Sequence, residues 1–207
     1  MKNRVIGTGS SLPKKILTNF DLEKILDTND EWIRKRVGIK TRHVCDVGED
    51  SYTLAIEAAK KAINNSGINA NEIELIIVAT TTPKKVFPSL ACMVQAGLGL
   101  RSIPAFDIQA VCSGFVYGLS VIDNLMSSGK YKKALLIGSE AYSKIVNWKD
   151  RSTAILFGDG AGAVVLSANE QIGILDHIIS AEPDQDDLLT LENPYEVFSK
   201  DYPNTYN

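Results

Sequence analysis

Apolar positions along the chain follow two patterns, one typical of helices that cover a sheet and one typical of buried strands. Residues 51–66 have apolar side chains at 54, 55, 58, 59, 62 and 63, the spacing of an amphipathic helix, and Gly67 is suited to end it. Residues 73–79 are a nearly continuous β-branched and aliphatic run, which indicates a strand covered on both faces, and residues 134–137 repeat this character.

The remaining segments alternate between strand and helix patterns. We expect further strands at 4–9, 105–109, 161–166 and 172–179, and further helices at 19–26, 89–98 and 112–128, with a binding loop after residue 26. A polar turn at 168–171 predicts that the last two strands form an antiparallel hairpin. The pattern therefore favours an α/β fold with a mixed, mostly parallel sheet flanked by helices.

The domain organisation predicted from these patterns is simple. Residues 1–180 contain no repeat or linker and are expected to form one domain. Residues 181–207 are acidic, then rich in Asn, Pro and Tyr, which predicts a truncated tail whose composition favours disorder.

Composition excludes several functional classes. The chain is 44% hydrophobic and 23% charged with a net charge of −3, so no broad basic surface is available for nucleic acid. No stretch approaches the roughly 18 apolar residues that cross a membrane, and no signal peptide is recognisable. We therefore expect a cytoplasmic protein with no nucleic-acid or membrane partner.

The cysteines and histidines do not form a metal-binding pattern. Cys45, Cys92 and Cys112 lack CxxC spacing, and His43 and His177 are not placed to complete a ligand set, so no metal is expected. Each cysteine is then either a small buried residue or a nucleophile. Cys45 and Cys92 lack an activating setting and are interpreted as structural.

Cys112 has the setting of a nucleophile. It lies where a predicted buried strand joins a predicted apolar helix, and a helix N-terminus favours a thiolate through its partial positive charge and free N–H groups. Ala110, Ser113 and Gly114 are small enough to let a thioester approach. The local pattern is equally compatible with a structural cysteine at a tight junction.

A series of short motifs along the chain adds to this pattern. They are DEWI at 30–33, Arg36, GI at 38–39, RH at 42–43, FPS at 87–89, DIQAVCSGF at 107–115 and FGDGAGA at 157–163. In this order they make residues 1 to about 192 similar to the family of 3-oxoacyl-(acyl-carrier-protein) synthase III.

This resemblance implies a fold and a reaction. The fold would be thiolase-like, the N-terminal half of a duplicated αβαβα arrangement that is usually a homodimer. Cys112 would take an acyl group from acetyl-CoA or a similar primer and pass it to malonyl-acyl carrier protein, with loss of CO₂, to give 3-oxoacyl-acyl carrier protein. Acyl-CoA is a substrate here, and the resemblance implies no cofactor.

The resemblance also implies binding residues. Trp32 and Arg151 would stack on either side of adenine, Thr28 would hydrogen-bond the base, and Arg36 would meet phosphate. Ser152 stands where related enzymes often have Gly. Each of these residues could instead be an ordinary core or surface residue.

Two aromatic residues complete the set implied by the resemblance. Phe87 would reach across the dimer interface into the partner's acyl pocket, and Phe157 would lie near the active-site tunnel. Both could equally be core aromatics.

Other functions remain open. The histidine and asparagine that the family uses for decarboxylation have no counterpart in this sequence, and neither His43 nor His177 matches that histidine. We therefore expect a truncated or split synthase with low activity alone. The alternatives are another thiolase-fold condensing enzyme with a different primer, or a non-catalytic remnant or subunit that binds CoA or acyl groups.

Overall fold

The computed structural model describes residues 2–169, 171–183 and 189–191. The chain divides into two compact units, Met1–His177 and Ile178–Asn207. The described residues of the second unit contain neither helix nor strand. The predicted disordered tail over 181–207 falls largely outside the described residues, and the domain boundary at residue 180 stays a prediction.

The first unit is built on a five-stranded sheet with the strand order β1-β7-β6-β4-β5 and on a separate two-stranded antiparallel sheet of β2 and β3. The strands are β1 (Lys2–Ser11), β2 (Lys15–Thr18), β3 (Thr41–Val44), β4 (Leu75–Ala79), β5 (Ala105–Ile108), β6 (Lys133–Ala141) and β7 (Asp159–Asn169). Strand β4 pairs parallel with β5 and β6, whereas β7 pairs antiparallel with β1 and β6. Four strands therefore point one way and only β7 opposes them, which confirms the mixed, mostly parallel sheet.

Helices cover both faces of this sheet. Helices α3 (Ser51–Ser66) and α4 (Leu90–Gly97) pack on one face and α5 (Gly114–Ser127) on the other, whereas α1 (Asn19–Leu22), α2 (Asp30–Val37) and α6 (Arg151–Ala154) belong to a separate cluster. Among the residues described, none of these helices is long and apolar enough to cross a membrane.

Alternate side chains of the buried strands pack into two core clusters, one on each face of the sheet. Ile76 and Val78 of β4 face α3 and α4, whereas Leu75 and Ile77 of the same strand face α5. All five residues of β4 are buried, as the continuous apolar run predicts. A third, smaller cluster joins α1, α2 and α6 around Leu22, Ile33 and Ile155.

The agreement with the sequence patterns is uneven. Helix α3 begins and ends where the periodicity and Gly67 predict, with Asp50 forming a capping box at its start. The predicted helix at 19–26 is only α1, one turn long, and the segment after residue 26, predicted as a loop, contains α2.

The predicted strand at 172–179 is wrong. No strand is present there, and β7 itself extends to Asn169. The Asn169 side chain accepts hydrogen bonds from the amides of Gln171 and Ile172 and so turns the chain. One backbone bond then follows, from Ile174 N to Asn3 O at 2.8 Å, which is too little to make a ladder.

Helix α3 packs against β1 backbone to backbone. A Cβ at Gly9 would lie 2.3 Å from the carbonyl oxygen of Ala58 and 2.5 Å from the amide nitrogen of Ala62. These atoms belong to a regular helix and cannot move aside independently. Glycine at position 9 of β1 is therefore required for this contact.

We expect Gly9→Ala to destabilise the protein by about 1–3 kcal/mol or more, because overpacking must separate α3 from the sheet. Urea unfolding followed by circular dichroism would measure this. Gly162→Ala is the matched control, since a Cβ there meets nothing within 4 Å. Equal effects of the two substitutions would contradict the close-packing interpretation.

Candidate functional site

The carboxyl ends of β4, β5 and β6 meet at one edge of the sheet. In register, Ala79 of β4 lies between Ile108 of β5 and Gly138 of β6. The chain leaves β5 after Ile108 and reaches Cys112 four residues later. Parallel strands place their outgoing connections together, so Cys112 lies on an edge where loops from several strands converge.

Cys112 occupies a strained and exposed turn. A 3₁₀ turn spans Val111–Ser113, and α5 begins at Gly114, two residues later than the sequence pattern predicts. Val111 has φ of 44°, an unfavourable conformation for a β-branched residue. Such strain persists only where surrounding packing imposes it, and it is typical of functional turns.

The packing of α5 imposes this turn. A Cβ at Gly118 would lie 2.6 Å from Cδ1 of Leu136, and one at Gly114 would lie 3.2 Å from Cβ of Ala79. The first turns of α5 therefore rest almost directly on β4 and β6. Only a sharp connection can lead from the end of β5 into a helix seated this closely, and Cys112 is presented at its outer side, exposed to solvent.

Two aromatic rings lie close to this turn. Tyr142 and Phe157 stack with ring centroids 5.0 Å apart. The pKa of the Tyr142 phenol is raised by burial, with smaller contributions from the charges of Glu140 and Cys112. The structure therefore brings Phe157, through Tyr142, into the electrostatic neighbourhood of Cys112.

Asp159 fixes the segment that carries Tyr142. Its buried carboxylate accepts hydrogen bonds from Cys45 N at 2.6 Å, Ser143 N at 2.8 Å and the Ser143 hydroxyl.

The other two cysteines differ from Cys112 in their surroundings. Burial, with the adjacent Asp159, raises the pKa of the Cys45 thiol to about 12. Cys45 therefore stays protonated at neutral pH, as a structural cysteine would. Cys92 is half-buried and donates to the carbonyl of Ala105 at 3.4 Å.

A second cluster brings together three of the residues implied in CoA binding. The guanidinium carbon of Arg151 lies 4.8 Å from the centroid of a Trp32 ring, and that of Arg36 lies 5.2 Å from a Trp32 ring centroid. Arg151 Nη1 also donates to the carbonyl of Asp27 at 2.9 Å, next to Thr28. The Thr28 hydroxyl is buried and has no hydrogen-bond partner in the described part of the chain.

The small apolar cluster and a polar network hold these elements in place. Buried Arg42 donates through Nη2 to Asn19 Oδ1 and to the carbonyl of Ile155, each at 3.0 Å, and Asn19 in turn donates to Asp30 at 2.8 Å. Burial lowers the pKa of the Arg42 guanidinium. This network ties β3, α1, α2 and α6 together, so Trp32 and Arg151 are positioned although they are distant in sequence.

Phe87 lies apart from the core, just before α4. It is 82% exposed, which excludes the alternative that it is a core aromatic of this chain. The following helix is anchored by Asp107, whose carboxylate accepts hydrogen bonds from Leu90 N at 2.6 Å and Ala91 N at 2.7 Å. Burial raises the pKa of Asp107.

Neither histidine lies in a catalytic arrangement with Cys112. His43 Nδ1 is 2.6 Å from the carbonyl oxygen of Pro13. His177 Nδ1 is 3.6 Å from Asp123, in the middle of α5 rather than at its start. Across the described ranges there is also no group of three or more His, Cys, Asp or Glu side chains that could hold a metal ion.

Sequence reasoning missed the polar residues that shape the site. Glu140 and Tyr142 were not singled out, and Asp107 and Asp159 appeared only within motifs without a predicted role, although all four lie in or hold the loops at the carboxyl edge of the sheet. The available signal was an acidic residue within or next to an apolar strand, since such a residue must find hydrogen-bond donors when buried.

Comparison with known proteins gives this geometry a context. Residues 106–183 match the family model described as 3-oxoacyl-[acyl-carrier-protein (ACP)] synthase III. The β-ketoacyl-[acyl-carrier-protein] synthase III of Thioalkalivibrio sulfidiphilus is 53% identical over 186 residues, which are 90% of this chain and 58% of the relative. That of Rickettsia canadensis is 51% identical over 192 residues, or 92% of this chain and 61% of the relative.

Solved structures agree. The crystal structure of 3-oxoacyl-[acyl-carrier-protein] synthase III from Aquifex aeolicus superposes with a TM-score of 0.79 at 53% identity, covering 81% of this chain and 54% of that one. The priming β-ketosynthase of the R1128 polyketide pathway has the same TM-score at 32% identity, covering 81% and 50%. The chain thus has the thiolase-like fold, and it spans between 50% and 61% of the length of these relatives.

Proposed function

Since the chain belongs to the 3-oxoacyl-[acyl-carrier-protein] synthase III family, we propose that Cys112 accepts an acyl group from an acyl-CoA, with acetyl-CoA as the donor. The observation that supports this most directly is the exposed thiol in a strained turn that leads into α5. The alternative of a structural cysteine sealed in the core does not fit an exposed side chain.

The proposed step is a transfer between two thioesters. The Cys112 thiolate attacks the thioester carbonyl, a tetrahedral oxyanion forms, and its collapse breaks the bond to sulfur and releases CoA as a thiolate that takes a proton from solvent. The start of α5 supplies partial positive charge that favours both the attacking thiolate and the oxyanion. No cofactor takes part in this step.

We assign the CoA moiety to the cluster of Thr28, Trp32, Arg36 and Arg151. Trp32 offers an aromatic face for adenine, and two arginines beside it offer charge for phosphates. A stacked layer requires about 3.5–4 Å, so adenine can enter between Trp32 and Arg151 only if the arginine moves outward from its present contact. The exposed position of Arg151 permits this movement.

The remaining steps follow from the family and belong to the same proposal. The acyl group on Cys112 would condense with malonyl-acyl carrier protein, with loss of CO₂, to form 3-oxoacyl-acyl carrier protein and so initiate fatty acid synthesis in the cytoplasm. Phe157 would line the acyl pocket, and exposed Phe87 would contact a second subunit in a homodimer. The catalytic domain is assigned to residues 1–180.

A second candidate function, the priming of polyketide synthesis, is supported by one structural similarity. The priming ketosynthase of polyketide biosynthesis shares the fold at 32% identity. Identities above 50% to synthases III favour fatty acid initiation instead. A CoA-binding subunit without transfer activity is the remaining alternative.

Incubation with acetyl-CoA should attach one acetyl group to the chain, and Cys112→Ala should abolish this adduct. Intact-mass analysis measures the addition, and a series of longer acyl-CoAs defines the primer. Cys92→Ala is the control and should still be acylated at Cys112. The half-buried Cys92 thiol of the parent chain donates to the Ala105 carbonyl and is not the proposed nucleophile. An adduct that survives in Cys112→Ala contradicts the proposal, and CoA binding without any adduct supports the binding-subunit alternative.

Trp32→Ala should weaken acetyl-CoA binding by about 1–3 kcal/mol, or roughly 5- to 150-fold in Kd, the usual contribution of stacking a base on an aromatic ring. Titration calorimetry with Cys112→Ala as the background avoids turnover. Arg34→Ala, an exposed arginine of the same helix paired with Asp30, is the control and should bind normally.

Acetyl-pantetheine, which lacks adenine, distinguishes a lost stacking contact from a damaged fold. Its rate of transfer to Cys112 should be the same in Trp32→Ala and in the parent chain. An equal loss with both substrates would show that Trp32 acts only through folding.

A further inference from the structure

Glu140 forms a carboxylate clamp on the loop that follows β4. Its Oε1 accepts a hydrogen bond from Thr81 N at 2.7 Å, and its Oε2 accepts bonds from Thr82 N at 3.0 Å and from the Thr82 hydroxyl. The Thr82 hydroxyl oxygen in turn accepts a bond from Ala141 N at 2.8 Å. One side chain near the end of β6 thus fixes the first residues beyond the end of β4.

The clamped loop is connected to the surroundings of Cys112 through two neighbouring segments. Thr80 N, one residue before the clamp, donates to Ile108 O at 3.2 Å, at the end of the strand that leads to Cys112. Ala141 is followed by Tyr142, which stacks on Phe157 and lies within the electrostatic reach of Cys112. The clamp therefore joins the three strand ends around the reactive sulfur.

The chemistry of the clamp requires a carboxylate. Three donors converge on two oxygens, and a glutamine in the same place would turn an NH₂ group toward one of the backbone N–H groups. In the part of the chain that the structure describes, no lysine or arginine forms an ion pair with Glu140. Burial raises the pKa of Glu140, opposed by the bonds from Thr82 and Thr81.

A stabilising role alone would not require this location. Glu74 accepts a hydrogen bond from Lys132 N at 2.5 Å at the opposite end of the same sheet, where it joins β4 to β6 without approaching Cys112. Both glutamates therefore accept backbone N–H groups that join β4 to β6, at opposite ends of the sheet. Of the two, Glu140 is the one near Cys112 and so is placed to affect the reaction.

We propose that Glu140 is a positioning residue for acyl transfer to Cys112, holding the loop after β4 and the Tyr142 segment so that the thioester carbonyl is correctly oriented. This inference rests on the proposed function of Cys112. Glu140 does not touch the reacting atoms in this account. It acts through the loop that it clamps.

The test compares two reactions of the same sulfur in the parent chain and in Glu140→Gln. Single-turnover acylation by acetyl-CoA depends on the orientation of a carbonyl, whereas alkylation by iodoacetamide requires only an accessible thiolate. Peptide-level mass analysis follows both at Cys112. Glu74→Gln is the matched control, and thermal unfolding reports the stability of each variant.

We expect the acylation rate of Glu140→Gln at saturating acetyl-CoA to fall about 10- to 100-fold, the usual effect of a small misplacement of reacting groups. The half-saturating acetyl-CoA concentration should not change, because the Trp32 cluster is intact. Alkylation should continue at nearly the parent rate, and Glu74→Gln should acylate normally.

Thr82→Val provides a second variant if Glu140→Gln does not fold, since it removes one hydroxyl from the clamp and preserves the side-chain shape. It should slow acylation while leaving alkylation unchanged. Normal acylation in the folded variants, or an equal loss of acylation and alkylation, overturns the positioning role of Glu140 but leaves the proposed function of Cys112 intact. Absence of acylation in the parent chain overturns both this role and the proposed function.

Discussion

The close seating of α5 on the sheet is the constraint on which the rest of the site depends. A Cβ at Gly118 would lie 2.6 Å from Leu136 Cδ1 and one at Gly114 would lie 3.2 Å from Ala79 Cβ, so the two glycines let the helix approach the sheet more closely than larger residues would. The connection from β5 must then be short and sharp, and Val111 takes a positive φ as a result. Packing in the core therefore accounts for a strained turn at Val111 that presents an exposed Cys112.

The same edge of the sheet is organised by buried carboxylates. Glu140 holds the loop after β4, Asp107 holds the start of α4, and Asp159 holds the segment after β6. Each accepts backbone N–H groups that would otherwise lack partners at the ends of strands and helices. The site is thus a set of loops fixed by carboxylate acceptors around one thiol, and the cluster around Trp32 that we propose for CoA is a separate surface supported by the Arg42 network.

Sequence patterns predicted those elements whose apolar spacing already shows which of their faces are buried. Helix α3 was predicted to the residue because its apolar stripe and Gly67 define both ends. Strand β4 was predicted because it is buried on both faces, although it begins at Leu75 rather than at residue 73. Residues 172–179 were misassigned because alternation of apolar residues does not reveal whether a partner strand is available. Glu140 was missed because an acidic residue in a strand has the same sequence signal whether it faces solvent or backbone amides.

A crystal structure of the chain after reaction with acetyl-CoA would test the central claim most directly. The account predicts a thioester on Cys112 Sγ, a positive φ retained at Val111, and the acyl oxygen directed toward the start of α5. A relaxed Val111 with negative φ, or an unmodified Cys112 turned into the core, would contradict it.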